Sequence, residues 1–387
     1  MPNESMSPDA GALALSAQLV EHISGLVNQS GGFLPFDVFM DAALYTPGLG
    51  YYSNGLTPFG AQGDFVTAPE SGGLFARCLA RSFVPVLQQH KASVLELGAG
   101  SGRLAADLLT GLQDLDALPE RYAILERSPA MRAMQQSRIA QLPKVLQGRV
   151  EWVEELPHDW TGVIFGNEVA DALPVKRFHY HEHGVSEAGI EVSGNDLRLQ
   201  ETGADPESVE YITSLARQYG WEGDYQTEYC PPLKEWVGRL ADCLKQGLLL
   251  LIDYGYGRAE YYHPQRNAGT LMCHYRHQAH DNALWCPGLQ DITAFVDFTS
   301  VAEAATEAGL DFAGYTSQAR FLVGAGIDRV MSEADPDDLP RFLEMTGDAK
   351  RLMLPGEMGD RFKVIGFSRN LGGVVPGFDS QDLRSRL

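Results

Sequence analysis

Glu96, Gly98, Gly100 and Gly102 stand two apart in "VLELGAGSGRLAADLL", between a short apolar run and a stretch of helical periodicity. Glycines spaced this way let a backbone adopt conformations that a Cβ forbids, and so lie close to a bound nucleotide. A dinucleotide fingerprint needs G-x-G-x-x-G. Here its third glycine is replaced by Arg103, and the series runs G-x-G-x-G. The next strand-like run, "RYAILE", ends in Glu126, a carboxylate able to accept both hydroxyls of a ribose. A third, "RVEWVEEL", ends in Glu154 and Glu155. A fourth, "TGVIFGNE", ends in Asn167 and Glu168, with Asp171 three residues further on.

The elements that must position these residues alternate. "SVLELG", "RYAILE", "RVEWVEEL", "TGVIFGNE" and "GLLLLIDYG" read as strands. Helical spacing covers Arg103 to Leu112, Ser128 to Gln141 and Leu233 to Gln246. "FAGYTSQARFL" and "RFKVIGFSR" read as two further strands. This pattern predicts an α/β fold with a mostly parallel sheet and helices on both faces, its ligand at the carboxyl ends of the strands. Before the glycines, residues 11–29, "LPFDVFMDAALYTP" (stopped by Pro47) and Leu74 to Gln89 read as helices. A loop dense in Gly, Pro and aromatics lies between the last two. Residues 257–300, rich in His and Tyr, read as a long loop with helical parts. The expected organisation is a helical N-terminal part with a lid loop over 1–90, a sheet domain over 91–178 and 233–387, and an insertion over 179–232.

Composition narrows the partners. The 387 residues are 44% apolar and carry a formal net charge of −21, which repels nucleic acid and anionic membrane and favours a basic protein or peptide. Five cysteines without a CxxC pair fit a reducing compartment. No Lys or Arg precedes Arg77, so a secretory signal or mitochondrial presequence is not expected. The longest apolar run, "GLLLLI", is too short for a bilayer. A soluble, cytoplasmic, bacterial protein is expected, as a monomer or a homodimer.

E-x-G-x-G-x-G after a first strand resembles motif I of class I S-adenosylmethionine-dependent methyltransferases. That cofactor has no pyrophosphate, but it has a cationic sulfonium and an amino-acid tail, which an acid such as Glu96 suits. The resemblance implies that Glu96, Gly98, Ala99, Gly100 and Gly102 line the cofactor, with Glu126 on the ribose and Glu154 or Glu155 at the adenine. Four more segments carry a closer likeness: "GYYSNG…FGAQGDFVTAPESGGLFARCLA", "GNEVADALPVKRF", "LLLIDYGYGRAEYYHPQRNAGTLMCHYRHQAHDNALWCPGLQDITAFVDF" and "GYTSQARFL". With the glycine loop they resemble the MidA family over about residues 15–370. This implies a class I methyltransferase fold with an added helical N-terminal part, and methyl transfer to a protein, as ω-N arginine dimethylation of a respiratory complex I subunit. Phe295 stands where that family has a polar residue, often His.

Methyl transfer from a sulfonium requires nucleophile, methyl and sulfur in line, in a dry site. Arginine is protonated near neutral pH, so a carboxylate pair that grips the guanidinium can orient it and draw charge from the attacking nitrogen. Glu168 is the first candidate for that grip, with Asp171 on the same face if the turn is helical, and Asn167 beside them. Asp253 and Tyr254, ending "LIDYGYG", should face the same cleft. Gly63, Asp64 and Phe65 should fold over the cofactor, Phe65 offering a π face to the sulfonium, with Thr67 and Pro69 shaping the loop. His274, His277 and His280 recur at helical spacing and His179, His181 and His183 alternate, but no cysteine pair or HExxH motif joins them, and no metal is expected. The competing readings are a small-molecule methyltransferase, a nicotinamide oxidoreductase and a non-catalytic assembly chaperone.

Overall fold

The alternating apolar runs assemble into one sheet, whose strands are numbered here within that sheet: β1 Ser93–Leu97, β2 Tyr122–Leu125, β3 Val150–Val153, β4 Trp160–Asn167, β5 Leu244–Tyr256, β6 Asp311–Ser317 and β7 Phe362–Arg369. In this computed structural model residues 7–56, 68–89, 92–194, 196–335 and 337–387 are described. The strand order is β6-β7-β5-β4-β1-β2-β3. Strands β1 to β5 run parallel to their neighbours, and β7 is antiparallel to β5 and β6. The two-residue strand Val296–Asp297 adds to the end of β5.

Strands β1, β4 and β5 are buried almost throughout, as strands covered on both faces must be. Val94, Val163, Phe165, Leu248, Leu250 and Ile252 share a core with Phe83 and Leu108 of the helices Gly73–Gln89 and Arg103–Asp114. The order reverses between β1 and β4, which opens the crevice where ligands of such sheets bind. Register then fixes what stands at that edge. Leu97 pairs with Leu125 on one side and Gly166 on the other, and Asn167 pairs with Ile252. Gly98, Glu126, Glu168 and Asp253 therefore follow the last paired residues of β1 and β2, the end of β4, and Ile252 of β5.

The chain divides into two compact units. The sheet belongs to the unit formed by Val66–Ala170, Lys234–Gly257 and Val296–Leu387. The other comprises Met1–Phe65, Asp171–Leu233 and Arg258–Phe295. There the helices Ala10–Gln29 and Phe36–Tyr45 pack with an antiparallel sheet of Leu34–Pro35, Lys176–His181, Gly184–Ser193, Asp196–Gly203 and Tyr225–Tyr229. Leu19, Ile23, Phe36, Phe39, Ile190 and Ile292 share that core. The stretch read as an insertion thus lies in one unit with the N-terminal helices and with residues 258–295.

Two stretches differ from the sequence reading. Only Asp311–Ser317 of "FAGYTSQARFL" is strand; Gln318–Gly324 is a helix whose Gln318, Phe321 and Leu322 are buried. Within 257–300 the three strands Met272–Tyr275, Gln278–His280 and Asp291–Thr293 pair antiparallel, and Arg276 and His277 turn between the first two with positive φ, so the three histidines share no helix. The helix Ala10–Gln29, read from the sequence as amphipathic, is by length and composition long and apolar enough to cross a membrane. It buries Ser16, Leu19, Ile23 and Val27 on one face, the i, i+3, i+4 stripe of an amphipathic helix.

Candidate active site

All three glycines after β1 have positive φ: 61° at Gly98, 50° at Gly100 and 78° at Gly102. A side chain at these positions would be strained, which is why the sequence repeats the one residue without a Cβ. Gly102 ends the loop as the left-handed N-cap of the helix Arg103–Asp114, without a side-chain cap. The first N–H of that helix, at Arg103, donates to Ser101 Oγ within the loop at 3.3 Å.

Glu96 does not reach the edge as an exposed anion. It is 2% exposed within β1, and Tyr122 Oη donates to its Oε2 at 2.7 Å. Burial pushes its carboxyl up to about 8, against the pull of the Tyr122 hydrogen bond, and the nearby Glu126 adds to the rise. Burial thus disfavours the charged form of this carboxyl, and the negative charge expected beside the loop is muted.

Glu126, half-buried after β2, has its carboxylate fixed from two sides. Oε1 accepts the N–H of Ser128 at 2.8 Å and Oε2 accepts the Gln135 amide at 2.9 Å. Each oxygen keeps lone-pair capacity for a further donor, which a vicinal diol supplies. Burial raises its pKa, and the hydrogen bonds from Ser128 and Gln135 oppose the rise. The helix behind it begins where Ser128 caps Met131 and Pro129 takes the first turn. Its polar face reaches back: Arg132 donates to the Glu126 carbonyl at 3.2 Å, and Arg138 to the Ser101 carbonyl at 3.1 Å. Gln135 and Arg138 went unread in the sequence, because a polar stripe on a helix looks like a solvated face.

The end of β4 departs most from expectation. Glu168 has φ +54°, and its N–H donates to the Ile252 carbonyl at 2.9 Å. A right-handed helical turn cannot contain that residue, so the shared helical face for Glu168 and Asp171 does not form. Asp253 Oδ2 accepts the N–H groups of Val169 at 3.2 Å and Ala170 at 2.9 Å, binding the loop after β4. Asn167 Nδ2 donates to Glu168 Oε1 at 2.9 Å. The buried Asn167 Oδ1 has no hydrogen-bond partner among the described residues. Reversing the amide would set two oxygens against each other at Glu168, so this orientation is the favoured one.

Other candidates fall elsewhere. Glu154 is 78% exposed and pairs with Arg132 at 3.3 Å; Glu155 is exposed. Tyr254 packs edge-on against Phe362, with ring centroids 5.4 Å apart. Pro69 sits half-buried in the short 3-10 helix Ala68–Ser71. Gly63, Asp64, Phe65 and Thr67 lie outside the described residues. Asp171 is buried in the other unit, where its carbonyl accepts the Ala294 N–H at 3.0 Å. There too Phe295 lies under the Arg266 guanidinium, 6.0 Å from the ring centre, and its N–H donates to Thr270 Oγ1. His179 contacts Glu201 at 3.2 Å, and among the described residues no three His, Cys, Asp or Glu could hold a metal ion.

Three left-handed glycines, a fixed half-buried carboxylate and an unmet amide oxygen along one sheet edge fit a nucleoside with a ribose diol and an adjacent acceptor. Comparison with known proteins agrees. Residues 78–316 match the model of a family assigned as S-adenosyl-L-methionine-dependent methyltransferases. A Burkholderia thailandensis protein assigned as a methyl transferase, solved bound to S-adenosyl-homocysteine, is 40% identical and superposes with a TM-score of 0.94, covering 98% of this chain and 99% of that one. The mitochondrial protein arginine methyltransferase NDUFAF7 homolog of Drosophila melanogaster is 27% identical, covering 94% of this chain and 87% of its own. The mitochondrial protein arginine methyltransferase NDUFAF7 of Danio rerio is 25% identical, covering 91% and 87%. These names overturn the expectation of a cytoplasmic protein, which rested on the absence of basic residues before Arg77, and an absent signal specifies no compartment.

Proposed function

The chain belongs to the MidA family of class I S-adenosyl-L-methionine-dependent methyltransferases, and from that premise we propose that it methylates arginine side chains of a protein. The observation that carries this reading is the pair at the end of β4. The unmet Asn167 Oδ1 and the adjoining Glu168 carboxylate are both acceptors, suited to N–H donors on a cation. The names of the relatives, protein arginine methyltransferases, support the same acceptor. An arginine-bearing subunit of a respiratory complex is the first substrate to test.

Glu126 would hold the ribose, and the glycine loop would lie against the amino-acid portion. When bound, S-adenosylmethionine supplies a methyl group on a positively charged sulfur. The chain's own part is positional. Asn167 Oδ1 and Glu168 accept N–H groups of the guanidinium, fix its plane and leave one nitrogen to point along the line of transfer. The Glu168 carboxylate draws positive charge from that nitrogen and receives the proton released when it is alkylated. Orientation of this kind supplies up to about 7–11 kcal/mol of barrier lowering. Glu168 keeps its place because three neighbouring N–H groups, its own and those of Val169 and Ala170, are held by β5.

The test is transfer of an isotopically labelled methyl group to proteins of a cell extract, read by peptide mass spectrometry. Label on arginine, lost on Asn167→Ala and Glu168→Gln while cofactor binding is kept, is the expected result. Label confined to small molecules, or to another side chain, would overturn the arginine assignment.

A further inference from the structure

Gln135 is completely buried, yet it is polar and lies midway along the helix Pro129–Ile139. Its amide nitrogen donates to the Gly100 carbonyl at 3.0 Å and to Glu126 Oε2 at 2.9 Å. Its amide oxygen accepts the Trp152 indole N–H at 2.9 Å. One side chain thus ties the glycine loop, the carboxylate after β2 and the strand β3. The indole nitrogen can only donate, so Trp152 fixes which end of the amide faces it. Reversed, the amide would set donor against donor at Trp152 and oxygen against oxygen at Gly100 and Glu126. The approach is close: a Cβ on Gly102 would lie 3.0 Å from Gln135 Cα and 3.3 Å from its Cβ.

We propose that Gln135 is a positioning residue for the nucleoside, acting through Glu126 and locked by Trp152. The proposal rests on the reading that Glu126 takes the ribose. With Ser128 N–H on Oε1 and Gln135 on Oε2, the plane of the Glu126 carboxylate is set, and its oxygens have lone-pair capacity for further donors. That is the receptor for two adjacent hydroxyls, so the ligand class is a ribonucleoside with both hydroxyls present. The same amide holds the Gly100 carbonyl, so the loop and the ribose acceptor move as one body. Glutamate, the closest acidic relative of glutamine, cannot serve: its carboxylate would face both the Gly100 oxygen and the Glu126 anion.

The experiment is calorimetric titration of the full chain with S-adenosylhomocysteine and with its 2′-deoxy analogue. Gln135→Met keeps the length and removes the three bonds; it should weaken S-adenosylhomocysteine binding about 10-fold or more, the scale of a lost hydrogen bond to a charged group. It should also erase most of the preference for the ribose over the deoxyribose ligand. Gln135→Glu should be worse than Gln135→Met. Trp152→Phe, a milder change that unlocks the amide, should give a smaller loss in the same direction, and it carries the test should Gln135→Met fail to fold. In a Glu126→Ala background Gln135→Met should cost clearly less affinity than in the unaltered protein, because only its hold on the Gly100 carbonyl is then left to lose. Binding by Gln135→Met within twofold of the unaltered protein, or weaker binding with the ribose preference intact, would overturn the proposal. Equal binding by Glu126→Ala and the unaltered protein would instead overturn the ribose reading beneath it.

Discussion

Tyr122 donates a 2.7 Å hydrogen bond to Glu96, and the two groups sit buried side by side on neighbouring strands. The Glu96 carboxyl is pushed to about 8 in the folded protein, against an ordinary value near 4.5 when unfolded. The folded state therefore binds this proton more tightly. The resulting stability is fully present below about pH 4.5 and is lost as pH rises to about 8, at up to about 1.4 kcal/mol per pH unit. Glu96→Gln should flatten that slope, so its melting temperature should gain on the unaltered protein's as pH rises from 5 to 8. Parallel melting curves across pH 5 to 9 would show that Glu96 is ionised in the fold.

Glu168 occupies the left-handed region, where a Cβ is unfavourable. Glu168→Gly and Glu168→Ala both remove the carboxylate and should both lose methyl transfer by about 100-fold or more, the scale of an orienting group misplaced. Their stabilities should differ in an unusual sense. The glycine variant should be the more stable by about 1 kcal/mol, after the larger chain entropy of unfolded glycine is counted. Denaturant titration decides the order, and a more stable alanine variant would mean that the backbone relaxes out of this conformation.

Asp253 binds the loop after β4 through the N–H groups of Val169 and Ala170. Asp253→Ala leaves both donors without that acceptor and should cost about 1–3 kcal/mol of stability. Catalysis should suffer more than cofactor affinity, because the loop carries Glu168 while the glycines follow β1. A variant that loses affinity for S-adenosylhomocysteine but keeps its turnover would place Asp253 against the cofactor instead.

The glycines should not be equivalent. Among the described residues a Cβ on Gly98 meets only Val169 Cγ2, at 3.4 Å, whereas one on Gly102 presses on the Gln135 backbone at 3.0 Å. Both carry the strain of positive φ. Gly102→Ala should therefore lower the melting temperature and weaken S-adenosylhomocysteine binding more than Gly98→Ala does. The reverse order, measured by thermal shift with and without the ligand, would mean that the helix Pro129–Ile139 yields easily.

Much of the sheet could be read from the chain because its strands are buried on both faces and appear as unbroken apolar runs, as "TGVIFGN" does. The glycine loop was legible for a similar reason: positive φ leaves its mark as glycine. What escaped depends on contacts between distant residues. Gln135 looks like any polar helix residue until the Gly100 carbonyl and Trp152 are placed beside it. Asp253 reads as a cleft-facing acid, and nothing in the letters shows that its Oδ2 accepts N–H groups more than eighty positions earlier. Glu168 gives no letter-level sign of its left-handed backbone, so a helical turn to Asp171 looked natural. His274, His277 and His280 mimicked helical spacing while lying on a hairpin turned by two residues other than glycine with positive φ.

The most direct measurement is a crystal structure of this protein with S-adenosylhomocysteine and an arginine-containing substrate peptide. Both ribose hydroxyls should rest on Glu126, and a substrate guanidinium on Asn167 Oδ1 and Glu168. Ribose hydroxyls held elsewhere, or an arginine side chain far from the end of β4 with Asn167 Oδ1 still unmet, would contradict this arrangement.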